Sequence, residues 1–540
     1  MAALTGIGRD DQYVLAVDLG TGGPKVGLVS LTGIIACKEH LPVDTHRTHD
    51  GGATQDSERW WQLICASARR MVGSRVVPAE RIVAVSCTGQ WASTVPVDAA
   101  GHPVGECLLW LDSRGADLTR DAVGGPIGGY APLAATRWIR HSGGAPSTSG
   151  ADPIGHMLYI EHELPYVARA ARWYLEPVDY LSMRFTGVAA ASPASMAGAW
   201  LTDNRHPERL EYDPVLVRSA GVPLEKLPQL VATGSVVGTV LPEVAAALGL
   251  GPGVTVVTGT PDLHSAAVGA GAVLAHEAHL AISTTSWLSC PYPKKKTDPI
   301  RQIATVPGII GGLYLVANNQ ESGGGALEWL RRCLSDGRHE PYSYEQLTDL
   351  AAEAAPGCGG VLFTPWLAGE RSPVDNRAAR AGFHNLSLQT SRPDMVRAVM
   401  EGVAFNTRWL CEGVERFVGQ PLDPIRAIGG GAISSLWCSI YANILNRSIE
   451  QVADPQHANL RGSALLAGMA LGRVEPREIR SLVPVEAIHH PEPELRQQYD
   501  RIFGEFPALY SAQKGLFARL NRPKRARVGR SGPGRQPLFG

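Results

Sequence analysis

Residues 13–33 read YVLAVDLGTGGPKVGLVSLTG, and the order of residue types in this stretch decides the fold. Tyr13 to Asp18 is a short apolar run ending on an acid, the pattern of a buried strand. Gly20 to Pro24 is a glycine-rich turn, and Lys25 to Ser30 returns as its hairpin partner. A third strand fits Ile34 to His40. Ser57 to Val72 has helical spacing, with Trp60, Trp61, Ile64 and Ala68 on one side and Ser57 as a capping-type residue. RIVAVSCTG, from Arg81 to Gly89, is another short strand running into a turn. Strands alternating with helices predict an α/β or mixed-sheet domain.

The organisation changes near residues 250–262. GLGPGVTVVTGTPD places a strand, Val254 to Val257, between two Gly/Pro turns. HLAISTTSWLSC then repeats the plan of the opening hairpin, strand, hydroxyl-rich turn and apolar return, in different letters. A long helix from Arg392 to about Phe417, the strand-turn-helix PIRAIGGGAISSLWCSIYANIL and a helix around Ser463 to Leu471 follow. Two similar α/β halves facing a cleft is the expected architecture.

The 540-residue chain, at 44% hydrophobic and 19% charged, has ample material for such cores and is not a disordered chain. Fifty Lys+Arg against 51 Asp+Glu gives a net charge of -1, which argues against a basic nucleic-acid binder. After Glu505 there is no acid but eight basic residues, from Lys514 to Arg535. Without those eight the body is acidic, and residues 506–540 are expected to form a basic, disordered tail. Nine dispersed cysteines without a CxxC pair suit free thiols in a reducing compartment. The first residues lack an apolar run, and the uncharged stretch Phe185 to Thr202 is too rich in Ala, Ser, Gly and Pro for a good membrane span. A cytoplasmic protein with no membrane partner is expected. None of the 16 histidines falls in an HxxxH pair, so no zinc or iron site is expected.

Chemistry concentrates at the turns. DLGTGGPK sets Asp18 at a strand end beside backbone N–H groups and a hydroxyl, with Lys25 on the next strand, an arrangement suited to nucleotide phosphate. The turn is neither a Walker loop nor a dinucleotide GxGxxG. Ser283-Thr284-Thr285-Ser286 and the glycines of Ile428 to Ala432 are the matching candidates in the second half. Asp262 opens the apolar helix LHSAAVGAGAV. As the first residue of a helix it suits the dipole, and as a cleft carboxylate it suits removal of a proton from an alcohol during phosphoryl transfer. Asp18 and Asp262 with phosphate oxygens form a donor set for Mg²⁺.

These motifs, in this order from about Tyr13 to Arg473, resemble those of the FGGY carbohydrate kinases. The resemblance implies two ribonuclease-H-like domains of the actin/hexokinase-like ATPase superfamily around a central cleft. The expected limits are 11–260 for a sugar-binding domain and 261–490 for a nucleotide-binding one. It implies ATP and Mg²⁺ as cofactors, a small sugar or polyol substrate and, at family level, a homodimer. DLGTGGPK is similar to the first phosphate motif, with Thr21, Gly22 and Lys25 as its contacts. STTSW is similar to the second, with Thr284 and Thr285, although Ser283 stands where glycine is usual. SGGGALEWL and GGGAISSLW resemble segments lining the adenine nucleotide, which carries over to Gly324, Gly430, Gly431, Ala432 and Ser435. Asp262 occupies the catalytic position. In the C-terminal signature Asn385 replaces a usual glycine, and in the looser one His156 replaces lysine and Tyr159 tryptophan.

The sugar pocket departs further. Xylulokinases commonly show GQMHG followed by WxDxR; this chain has GQWAS and WLDSR. Gln90, Trp110, Asp112 and Arg114 carry over, while Trp91 replaces the methionine and Ala92 the histidine. Leu263 follows the catalytic aspartate where an amide is common. Both changes remove a polar handle and add apolar bulk, which disfavours hydroxyls lacking a partner. The resemblance thus implies a xylulokinase-like ketopentose kinase. Another ketose, a deoxysugar or a polyol such as a pentitol, tetritol or glycerol is the alternative, and a nucleotide-binding regulator without turnover is the rival from another class.

Overall fold

The opening hairpin pairs Tyr13–Gly20 antiparallel with Gly23–Ser30, setting Asp18 opposite Lys25 and Gly20 opposite Gly23. The structure is a computed structural model and describes residues 11–125, 130–335 and 340–521. Tyr13–Gly20 lies next to Ile82–Gly89 in parallel, and Ile82–Gly89 next to Thr255–Pro261, again in parallel. With Ile35–His40 and Val236–Thr239 at the edges they complete a six-stranded sheet. Buried on both faces, the inner strands are nearly continuous apolar runs, as parallel strands under helices require. Their carboxyl ends run out side by side into Thr21, Gln90 and Asp262, the edge where open α/β sheets bind ligands.

The second half repeats this plan. Ala278–Ile282 pairs antiparallel with Ser286–Ser289 and parallel with Ile425–Ile428, which pairs parallel with Ile449–Val452. Val485–His489 closes a five-stranded sheet. The same carboxyl edge carries the Ser283–Thr285 turn and the Gly429–Ala432 segment. A smaller four-stranded sheet, built from Pro291–Tyr292, Thr297–Asp298, Ile303–Pro307 and Tyr314–Ala317, branches from the second hairpin.

Two helices join the halves. Asp262–Gly269 packs in one apolar cluster with Ala281, Ile428 and Val452 of the second sheet. Ala458–Ala470 sends Leu460, Ala464 and Ala467 onto Val14, Ala16 and Ala84 of the first. The two helices touch along glycines. A Cβ on Gly269 would stand 1.8 Å from the Ala458 carbonyl oxygen, and one on Gly462 1.9 Å from that of Ser265. Ser463 Oγ–H donates to the Ser86 carbonyl at 2.8 Å, fixing the seam to a central strand.

Two local expectations change. Asp56, not Ser57, caps the first long helix, accepting from the N–H groups of Glu58 and Arg59, because its carboxylate precedes the first helical residue. Residues 506–520, expected in a disordered tail, instead form the last turns of the helix Arg496–Leu520. Phe506 and Phe517 are buried there, and Phe506, Tyr510 and Phe517 pack edge-on around Trp366. Apolar residues at helical spacing outweigh the basic composition. The remainder of the expected tail, 522–540, lies outside the described residues. No helix among the described residues is long and apolar enough to cross a membrane, and none of the nine cysteines is in a disulfide.

Candidate active site

Asp262 opens its helix directly after Pro261, partly buried at the sheet edge, and its Oδ1 accepts from the Leu263 N–H at 2.8 Å. Burial and then the charge of Asp18 push its carboxyl up to about 7, against the pull of the Leu263 N–H and Lys25. Lys25 Nζ donates to Asp18 Oδ2 at 3.0 Å, and the charge of Asp18, ahead of that of Asp262, raises the ammonium pKa. The two carboxylates and the ammonium therefore share one electrostatic neighbourhood, although Asp18 and Asp262 are 244 positions apart in the chain. Thr88 Oγ1–H donates to the Thr260 carbonyl at 2.8 Å and meets Ser265 Oγ at 2.6 Å, bracing the turn that carries Asp262.

The turn after the first strand leaves Gly22 exposed, and a Cβ there would meet nothing within 4 Å. The Thr21 side chain is otherwise engaged. Its Oγ1–H donates to Gln90 Oε1 and its oxygen accepts from Trp110 Nε1–H, both at 3.1 Å. The hydroxyl expected among the phosphate contacts thus belongs to the same network as two expected sugar contacts. Gln55, which sequence reasoning missed, anchors this turn by donating to the Thr21 carbonyl at 2.8 Å and to Thr45 Oγ1 at 3.0 Å. Trp60 Nε1–H orients Gln55 from 3.1 Å, so the only sequence signal was a glutamine five residues before a tryptophan.

In the second half, Thr284 is exposed at the hairpin turn. The backbone of that turn is latched to the helix Gly324–Leu334. Gly324 N–H donates to the Ser283 carbonyl at 2.6 Å, and Gly323 and Gly325 N–H donate to that of Thr284 at 2.9 and 3.1 Å. A Cβ on Gly323 would sit 2.6 Å from the Thr285 carbonyl oxygen, so the glycine run permits this close approach. Gly431 is equally crowded, its Cβ position 2.3 Å from Ile282 Cγ2, while Gly430 beside it faces open space. Ala432 is buried, with its carbonyl accepting from Gln451 Nε2–H at 2.8 Å. Ser435 Oγ–H donates to Gln451 Oε1 at 3.1 Å, so its hydroxyl is tied to the neighbouring strand.

The sugar-side residues divide into braces and wall. Asp112 is fully buried, accepts from Ala53 N–H at 2.9 Å and holds Arg114 Nη2 at 2.6 Å. Arg114 in turn lies 4.6 Å over the Tyr159 ring. His156 is buried, joining Thr94 Oγ1 to the Asp112 carbonyl, and burial pulls its pKa down to about 4. Trp91 Nε1–H donates to the Ser195 carbonyl at 2.7 Å. Leu263 forms a buried apolar cluster with Ala197, Ala267, Val306 and Leu315, against which Trp91 and Trp287 pack. Ala92 sits at φ 58°, a left-handed conformation costly for alanine. The Glu176 carboxylate steadies the next residue, accepting from Ser93 N–H at 3.2 Å, and burial raises the Glu176 pKa well above the usual range. Gln90 Nε2 is buried without a hydrogen-bond partner among the described residues.

Glu370, in the second half, is fully buried. It accepts from the N–H groups of Glu321 and Arg371 and from Asn406 Nδ2–H, and burial pushes its carboxyl up to about 7. Away from the cleft, His141, Asp203 and Asp213 come together, but Arg205 holds Asp203 and Asp213 caps a helix.

Residues 13–269 match the N-terminal domain and residues 287–471 the C-terminal domain of the FGGY family of carbohydrate kinases. The chain belongs to this family. It is a carbohydrate kinase with a two-domain α/β fold. It is 25% identical over 515 residues to a xylulose kinase of Staphylococcus epidermidis, covering 94% of this chain and 98% of that one. To an erythritol kinase of Brucella abortus it is 28% identical over 478 residues, covering 85% and 88%. Among solved structures, a gluconate kinase from Lactobacillus acidophilus superposes with a TM-score of 0.83 at 22% identity, over 95% of this chain and all of that one. Similarity therefore reaches kinases named for a ketose, a polyol and a sugar acid.

Proposed function

We propose that this carbohydrate kinase transfers the γ-phosphoryl group of ATP to a primary hydroxyl of a ketopentose, with Asp262 as the general base. The observation that carries the reading is the Asp262 carboxyl, poised near neutrality beside the Asp18–Lys25 pair at the edge where three parallel strands end. A base of that pKa is mostly ionised at pH 8 yet basic enough to accept a hydroxyl proton as the oxygen attacks phosphorus. The alcohol is a weak nucleophile, so positioning and charge neutralisation supply most of the acceleration.

On this reading 11–260 is a ribonuclease-H-like sugar domain and 261–490 its nucleotide-binding counterpart. The Gly22 backbone and Lys25 hold phosphate from one side, and the turn of Thr284 and Thr285 from the other. Gly324, Gly430, Gly431, Ala432 and Ser435 flank the adenine nucleotide, with Gly430 offering the open face. Asp18 and Asp262 are hard oxygen donors that fit Mg²⁺, and Asp18 Oδ1 remains beside the Oδ2 held by Lys25. Mg²⁺, when bound, neutralises charge on the transferring phosphate. Gln90, Trp110 and the Asp112–Arg114 pair form the part of the sugar wall that matches the xylulokinase-like motif, and Trp91 and Leu263 the altered part. Closure of the cleft excludes water and limits ATP hydrolysis. A cytoplasmic homodimer accords with the family.

One observation favours a second substrate class. Trp91, Ala92 and Leu263 offer fewer hydrogen-bond partners than a ketopentose presents hydroxyls, which suits a short polyol or deoxyketose. ATP-to-ADP turnover against pentuloses, deoxyketoses, pentitols, tetritols and glycerol tests both. Preference for a pentulose supports the first, preference for a short polyol or deoxyketose the second, and preference for a pentitol, or tight ATP binding with no turnover on any of them, overturns both.

A further inference from the structure

We propose that His264 is a positioning residue that couples the sugar wall to the second half of the molecule. The inference rests on the kinase reading above and names a determinant of its substrate selection. His264 lies two residues beyond Asp262 on the same helix and is fully buried. Its Nε2–H donates to the Pro307 carbonyl at 2.8 Å, at the end of the strand Ile303–Pro307 of the four-stranded sheet. On its other side, the Trp91 indole meets the imidazole edge-on, with ring centroids 6.0 Å apart at 85°. One neutral imidazole, its pKa pulled down to about 4 by burial, thus touches the residue that replaces the usual methionine and a strand from the other half.

The surroundings make this contact the adjustable one. Trp91 is already held at its Nε1 by the Ser195 carbonyl, and a Cβ on Gly198 would stand 3.1 Å from that nitrogen. The indole is therefore confined at its nitrogen end, and its ring meets His264 edge-on. The four-stranded sheet is tied to the first half elsewhere too. Lys295 Nζ donates to the Ile139 carbonyl at 3.0 Å and Thr297 Oγ1–H to that of Gly143 at 2.7 Å. Val306 and Leu315 of this sheet share the apolar cluster with Leu263. The sheet thereby forms the far side of the altered wall, and His264 sets the distance between that side and Trp91. Substrate shape is read by this spacing.

Hydrogen exchange of the full chain without substrate reads the link directly. His264→Ala is expected to speed exchange about tenfold or more in residues 88–93 and 303–307, and to leave 425–428 unchanged. His264→Gln keeps a donor for Pro307 and is expected to restore protection at 303–307 but not at 88–93. Unchanged exchange at 88–93, or acceleration spread evenly through both large sheets, would overturn the proposal. In turnover, His264→Ala should raise KM for the accepted sugar or polyol at least fivefold with KM for ATP within twofold; equal changes in both would also overturn it. Because exchange is measured without substrate, failure of the kinase reading on the substrate panel and failure of the link are separate results.

Discussion

The two hairpin turns occupy equivalent places in the two halves, each joining the first two strands of its large sheet and each at the carboxyl edge of a parallel set. Their chemistry differs. The first carries the Asp18–Lys25 ion pair and an open glycine; the second carries hydroxyls and has its backbone latched to the helix of Gly324. The charges of the first act on Asp262. One backbone plan used twice thus yields an ionic turn in the first half and a neutral, backbone-latched turn in the second. The lesson is that a repeated fold provides two positions, and side chains divide the labour between them.

The largest test of this division is Asp262→Asn, expected to lower kcat by about 10³-fold or more while ATP affinity by calorimetry stays within about threefold. Retained turnover would remove the base from the first side of the cleft. Next, Lys25→Met should cost about 10²-fold in kcat and Thr284→Ala only about tenfold, since a cation stabilises developing charge more than a neutral hydroxyl does. Equal losses would erase the contrast between the turns. Gly269→Ala probes the seam that holds the halves in register, and its Cβ against the Ala458 carbonyl should destabilise the fold by about 3 kcal/mol, read by denaturant titration.

A smaller, more diagnostic effect concerns pH. With Asp262 as the proposed base, which acts when ionised, kcat/KM should rise tenfold per pH unit up to about 7 and then level. Asp18 is one of the causes that raise the Asp262 pKa, so Asp18→Asn should move the midpoint to lower pH. The sign for stability is opposite. A carboxyl whose folded pKa is raised favours the fold fully below its unfolded value near 4, and that contribution is lost as pH rises through about 7. Asp262→Asn should therefore melt higher than the wild type at pH 8, and the gap should close towards pH 4. The smallest effect expected is at the sugar wall, where Trp91→Met should change the preference between a pentulose and a polyol by about tenfold or less.

How far the site could be read depended on how local its signals were. The opening hairpin, the Asp262 helix and both glycine runs are short stretches whose strand, turn and helix signals are adjacent. Gln55 and Glu176 escaped notice because each acts on the backbone of a distant turn, and a buried amide or acid in isolation has no pattern. The helix over 506–520 was hidden by basic composition, although its aromatic residues are spaced to cover Trp366. Thr21 is legible as a turn residue, but the partners of its hydroxyl are set by Gln90 and by Trp110, 89 positions away.

The amino-acid sequence by itself determined the alternation of elements, the duplicated hairpin plan, the family and the candidate acid Asp262, since periodicity, turn chemistry and motif spacing are properties of neighbouring residues. Tertiary structure alone decided that Asp18 raises the pKa of Asp262, that the two seam helices meet on Gly269 and Gly462, and that Trp91, His264 and Pro307 form one chain of contacts. Electrostatic coupling and packing depend on distance in space, and the pairing of strands is what turns separations of hundreds of residues into a few ångströms.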